Sequence, residues 1–250
     1  MRREVTMLDI VAAIFATAYC AAQAGLLIGP APLRAGSKIA LFAAMAAWLA
    51  AVVAVCGLRV LSPGALGPFP VNLVPFTLLL AILFGAWVLI PKASDVLLSV
   101  PMPALVAVHA GRVAGVFFLL LYFDGRLSAP FAPVAAIGDM ITGAIALLLL
   151  ALLARGVKVP KLWLSAWNAF GLLDLLTALA LAMLSVPGTA FRVFTEGPGT
   201  LVMGTLPWIF VPAMLVPVDL LVHVVIIAKL SSAPHAVKTM VIEGAQRGLQ

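Results

Sequence analysis

Apolar runs of about twenty residues recur from one end of this chain to the other, and that feature leaves it few folds. Inside a bilayer no water satisfies backbone N–H and C=O groups, so only helices and closed barrels can span it. These runs are rich in Leu and Ala and show no period-two alternation, so helices are expected. The composition agrees: 64% of the 250 residues are hydrophobic, 10% are charged and the mean hydropathy is +1.22. A soluble domain is nearer a quarter charged. The expected fold class is all-α, a polytopic membrane protein with seven transmembrane helices. The expected spans are 7–29, 38–60, 72–91, 103–123, 131–154, 162–185 and 206–229. Gly29-Pro30, Ser62-Pro63-Gly64, Gly67-Pro68, Pro91, Pro101 with Pro103, and Gly197-Pro198-Gly199 separate them, and Asp124-Gly125-Arg126 forms a tight turn. Few residues remain for a soluble domain, so residues 1–250 form one membrane domain with a cytoplasmic tail at 230–250.

Arg2-Arg3, an apolar run and Ala21-Ala22-Gln23-Ala24 resemble a secretory signal, but the segment is taken here as the first span. Alternate loops then face opposite sides. One side holds Arg34, Lys38, Lys92, Arg155, Lys158, Lys161, Lys229, Lys238 and Arg247; the other holds Arg2, Arg3, Arg59, Arg126 and Arg192. The richer side is expected to be cytoplasmic, which gives N-out and C-in in a bacterial inner membrane. The net charge of +6 is a topology signal facing anionic lipid and not a nucleic-acid footprint. Trp163, Trp167 and Trp208 lie near span ends, as interfacial anchors do. Cys20 and Cys56 fall mid-span and read as small buried hydrophobes. The 186–205 loop mixes Gly and Pro with Phe191, Val193 and Phe194, which suits a segment lying on the outer membrane surface.

Spans one to three look plain, with Asp9 and Asn72 close to their ends. Spans four to seven carry His109, Arg112, Asp139, Thr142, Asn168, Asp174, Asp219 and His223. An intramembrane ionisable residue is costly and marks a functional site by default. At 1.5 Å per residue from the inner boundary, His109, Asn168 and His223 lie about 9 Å deep and Arg112 about 13 Å. Asp219, Asp174 and Asp139 follow at about 15, 18 and 22 Å. Arg112 cannot readily deprotonate, so it needs a carboxylate or water, and Asp139 or Asp174 is the expected partner. Asp219 and His223 are spaced i, i+4 on one helix face, and His109 and Arg112 i, i+3. Asn168 and Asp174 do not share a face, so they need not serve one site. Gly111-x-x-x-Gly115 brackets Arg112 with a spacing that permits close approach of another helix. In span seven Pro212 and Pro217 each free a carbonyl just before Asp219, as in the interrupted helices that line transporter sites.

Three functions fit this pattern. The first is a proton-linked transporter or channel for a small solute. Its pathway residues would be Arg112, Asp139, Asn168, Asp174, Asp219 and His223, with protons exchanged at Asp174 and Asp219. The second is a haem-b membrane redox protein with His109 and His223 as axial ligands, since they share a depth on different helices. The third is an accessory subunit, in which the polar band only ties helices together and the partner is another membrane protein or a second copy. No zincin, nucleophile-elbow, phosphate-loop or Cys-x-x-Cys motif is present, and span seven has no mid-membrane lysine for a retinal Schiff base. His109, His223 and Asp219 could supply three zinc ligands, but their spacing does not require it, so no metal site is assigned.

Overall fold

The structure, a computed structural model, describes residues 5–58 and 73–247, the last of these, from 233 onward, as backbone alone. Expectations for Arg2, Arg3, Arg59, Asn72, the turn signals at 62–68 and the side chains of Lys238 and Arg247 lie outside the described residues. The described residues are helical, without strands. Among the described residues six helices are long and apolar enough to cross a membrane, or seven if one sharply bent pair counts as a span. Large apolar side chains point outward, Leu89 and Phe123 each at 78% exposure, while His109, Arg112, Asn168, Asp219 and His223 are all at 4% or less. That inside-out pattern is consistent with a helical membrane protein.

Helix α1 (Met7–Ile28) starts on a capping box. Asp9 N donates to Thr6 Oγ1 at 3.3 Å and Thr6 N donates to Asp9 Oδ2 at 3.1 Å, which satisfies two donors at the helix start. Helix α2 (Ala35–Gly57) is the most peripheral of the long helices, with Val52 its one buried residue. Helix α3 (Leu73–Leu89) ends earlier than the expected 72–91 span. Pro91 disfavours a helical conformation at the residue before it, and Ile90 is extended at φ −118° and ψ 95°. The chain turns by 97° there into a short helix, α4 (Pro91–Ser99), in place of the connection expected between the third and fourth spans.

The fourth span is not one straight helix. Helix α5 (Met102–Val108) leads into a 3₁₀ segment, His109–Gly115, and then into α6 (Val116–Phe123). A 3₁₀ helix has about three residues per turn, so positions i and i+3 eclipse. His109, Arg112 and Gly115 therefore fall on one line, and these are the buried residues of the segment. Helices α7 (Phe131–Ala154) and α8 (Lys161–Leu184) follow as regular helices, α7 closing on Gly156 at φ +74°. The last span opens with a π-helical turn, Val211–Leu215, where Val216 N reaches back to Val211 O. Pro212 sits within that turn, and α9 (Val216–Arg247) continues beyond the expected end at 229.

Helices in lipid gain little from the hydrophobic effect on meeting one another, so close packing and hydrogen bonds decide their arrangement. Glycines provide the close packing. A Cβ on Gly111 would strike the Tyr19 ring of α1, one on Gly115 would lie 2.7 Å from Asp139 Cβ, and one on Gly143 would strike the backbone at Val113. The Gly111–Gly115 pair thus admits two neighbours, α1 and α7. Two polar clusters close the ends of the bundle. At one end Arg126 Nη2 donates to Asp9 Oδ1 at 2.6 Å and Trp208 Nε1 donates to the same oxygen at 2.7 Å. At the other end Lys229 Nζ donates to the carbonyls of Leu98 and Val100, both at 2.7 Å, and so caps the end of α4. Trp208 and Trp167 are accordingly core residues at 3% and 4% exposure rather than interfacial anchors, because each indole N–H is needed by a buried acceptor; Trp163 alone of the three is exposed.

Candidate functional site

The 3₁₀ segment, α7, α8 and α9 meet at Arg112. Its Nε donates to Asp139 Oδ1 at 2.6 Å and its Nη2 to Asp174 Oδ2 at 2.6 Å. Its Nη1 donates to Gly171 O at 3.1 Å and lies 3.1 Å from His223 Nε2. Both expected carboxylates therefore pair with the arginine, one along each edge of the guanidinium. Small residues make this fit. A Cβ on Gly138 would overlap the Asp174 carboxylate, and one on Gly171 would lie 2.8 Å from His223 Cε1.

Arginine only donates, so His223 Nε2 must accept. His223 is then the neutral tautomer protonated at Nδ1, and that N–H donates to Asn168 Oδ1 at 2.8 Å. Asn168 Nδ2 in turn donates to His223 O at 3.2 Å. Asn168 and Asp174 do not share a helix face, yet both join one network, because Arg112 and His223 bridge between them. The expectation that they need not serve one site is corrected accordingly.

Asp219 has different partners from those its spacing suggested. No hydrogen bond joins it to His223 among the described residues. Its Oδ1 accepts from Gln23 Nε2 of α1 at 2.9 Å and lies 3.7 Å from His109 Nδ1. The helix turns His223 toward Arg112 and leaves Asp219 facing α1. His109 is fully buried, its ring stacked on His223 with centroids 4.0 Å apart and planes 25° apart. Neither of its nitrogens has a hydrogen-bond partner among the described residues.

This stacking does not fit a haem axial pair. Two axial imidazoles point their nitrogens at one iron from opposite sides of a macrocycle. Here the rings lie face to face with no gap for one, and both nitrogens of His223 are engaged by Arg112 and Asn168.

Two cavities of about 70 Å³ each adjoin this centre. Asp139, Phe118, Leu175, Val211 and Val216 line both. The first also reaches Arg112, Asp219 and, toward the Asp9 cluster, Trp208. The second reaches Thr200 and Met203. Asp139 is the most accessible member of the network, its side chain 17% exposed. Each cavity is large enough to hold several water molecules.

Sequence reasoning treated the first span as plain, and there it missed Tyr19 and Gln23. Gln23 is fully buried, and Tyr19 O–H donates to Val108 O at 2.6 Å, just before the 3₁₀ segment. The available signal was their i, i+4 spacing inside an otherwise apolar run, which puts two polar groups on one face. It also missed the ion pair of Asp9 with Arg126, whose residues are far apart in the chain.

Fold and site together define an all-helical chain of apolar helices around a buried Arg–Asp–His–Asn network. Residues 68–231 match the family described as Domain of unknown function (DUF8737), and the chain belongs to that family. The match includes His109, Arg112, Asp139, Asn168, Asp174, Asp219 and His223, while Tyr19 and Gln23 precede it. No curated protein and no solved structure matches the chain.

Proposed function

We propose that the chain is a proton-linked transporter of a small solute, set in a bacterial-type inner membrane with its N-terminus outside and its C-terminal end inside. One observation carries this reading. Three carboxylates inside the bundle, Asp139 and Asp174 paired with Arg112 and the buried Asp219 beside His109, lie next to two cavities. Buried charges must be paired or neutralised. Arg112 compensates part of that negative charge, and a proton on the Asp219–His109 pair compensates more. That pair forms the exchange point, Arg112 is the fixed charge that balances Asp139 and Asp174, and Asn168 and His223 keep Arg112 in place. Asp139 and Asp174 anchor it, with Asp139 facing the cavities.

The backbone supports movement as well as placement. Mid-helix 3₁₀ and π segments are where helices hinge, and here one lies on each side of the cavity between α1, the fourth span and the last span. The test is proton flux into liposomes loaded with a pH-sensitive dye. Asp219→Asn is expected to reduce flux at least tenfold in protein that elutes as the wild type does, and Asp174→Asn to reduce it less. Undiminished flux in Asp219→Asn, or no flux from the wild type above empty liposomes, would overturn the reading.

A further inference from the structure

The cavity between α1, the fourth span and the last span also constrains what the transported solute is. We infer that this cavity takes a small organic ammonium ion, held by Asp219 and by aromatic ring faces; the inference rests on the transport reading above and gives its substrate class.

The charge excludes an anion. Arg112 is the cation at the cavity, and all three of its nitrogens already donate within the protein, to Asp139, Asp174, Gly171 and His223. Asp219 is the carboxylate left over. It is 3% exposed, it lines the cavity, and Gln23 is the one hydrogen-bond donor to it among the described residues. Buried polar atoms around it lack partners: Gln23 Oε1 and both ring nitrogens of His109, whose Nδ1 lies 3.7 Å from Asp219. A positive donor is what this corner lacks.

The wall distinguishes an ammonium ion from a metal cation. Tyr19, Phe15, Phe117 and Trp208 form a continuous row of rings, with successive centroids 5.7, 5.7 and 6.1 Å apart. All four line the cavity. Ring faces attract organic cations within about 6 Å of the centroid. A hard metal ion instead wants about six or more oxygens. Pro212 and Pro217 cannot supply them, because the carbonyls they free are occupied: Trp208 O accepts Val211 N at 3.1 Å and Ala213 O accepts Trp48 Nε1 at 2.8 Å. Among the described residues no three His, Cys, Asp or Glu side chains are arranged to hold a metal. A cavity of about 70 Å³ has room for a short alkylammonium.

Asp219 then carries either a proton or the ammonium ion. When the ammonium arrives, the proton leaves to the aqueous phase, and when the ammonium departs a proton returns. The groups facing Asp219 are Tyr19, Cys20 and Gln23 from α1, His109 and Arg112 from the fourth span, and Asp139 from α7. None of these is a free cation that could take the place of the ammonium.

Isothermal titration of the detergent-purified full chain with ethylammonium chloride tests this, with sodium chloride and sodium acetate as comparators. Saturable binding of ethylammonium is expected, with neither sodium nor acetate competing. Asp219→Asn is expected to weaken it at least tenfold. Phe117→Leu, which removes one ring face and keeps Asp219, is expected to weaken it several-fold and serves if Asp219→Asn does not fold. No saturable binding to the wild type, equal binding of sodium, or unchanged affinity in both variants would overturn the inference. Proton flux without ethylammonium binding removes the substrate class alone. Ethylammonium binding without proton flux, even with an ethylammonium gradient across the liposome membrane, removes the transport reading and leaves a cation-binding site.

Discussion

Arg112 shows why a buried charge is safe only with its full set of partners. Each of its nitrogens donates to a carboxylate, a carbonyl or an imidazole from another helix. Removing it leaves Asp139 and Asp174 unpaired inside the bundle. Breaking a buried pair from one side costs about 3–5 kcal/mol, whereas removing both sides is often close to neutral. Arg112→Met is therefore expected to lower unfolding stability in detergent by about that amount, and adding Asp139→Asn and Asp174→Asn to it to recover a large part. A single Arg112→Met variant as stable as the wild type in a denaturant titration would contradict this account. Pairing of the arginine with an aspartate was legible in the sequence, because an arginine in lipid must find a carboxylate or water and aspartates lie in the neighbouring spans. That it takes two of them, and that Asp219 turns instead to Gln23 and His109, was not. Helical spacing says which residues share a face, but not which neighbouring helix that face meets.

At the scale of elements, backbone irregularity coincides with the site. The 3₁₀ segment His109–Gly115 aligns His109, Arg112 and Gly115 on one buried line, and the π turn Val211–Leu215 lies across the cavity from it. Prolines hinted at the second irregularity. Nothing in the composition of His109–Gly115 required the first; its two glycines permit close neighbours on both sides, and the tighter helix follows from packing. Gly115→Ala would bring a Cβ within 2.7 Å of Asp139 Cβ and 2.8 Å of Ala136 O, so α7 must move. Overpacking of this kind costs about 1–3 kcal/mol. Gly85→Ala, in α3, meets nothing within 4 Å. Alanine is the better helix former there by about 0.5–1 kcal/mol, so that variant is expected to melt at or slightly above the wild type. Thermal unfolding of the two in one detergent checks the contrast, and equal melting temperatures would refute it. The bend at Ile90–Pro91 teaches the same lesson from the other side. Pro91 announced a break in the sequence, but the 97° angle of the turn into α4 and the capping of the Leu98 and Val100 carbonyls by Lys229 of the last span belong to the tertiary structure.

Over the whole molecule, Arg126 with Asp9 and Trp208 gather at one end and Lys229 with the end of α4 at the other. In the N-out arrangement proposed here, the first end faces outward. A cysteine at Phe191, which is 53% exposed on the 186–205 loop, is expected to react with an impermeant maleimide in intact cells, provided Cys20 and Cys56 are first replaced. A cysteine at Lys158 is expected to react only after the cells are opened; the reverse pattern would invert the topology and with it the direction of the pathway. The sequence by itself determined the helical class, the approximate ends of most apolar segments and the set of polar residues inside them. Those follow from local rules, since a backbone in lipid must bond within its own segment and an ionisable side chain there stands out against its neighbours. Tertiary structure alone decided that α1 contributes Gln23 and Tyr19 to the centre, that His109 stacks on His223 rather than opposing it, and that Asp219 is left facing a cavity walled by aromatic rings. Those depend on how far each helix rotates and how closely glycines let it approach, quantities set by contacts between different segments of the chain, which no periodicity within one segment records.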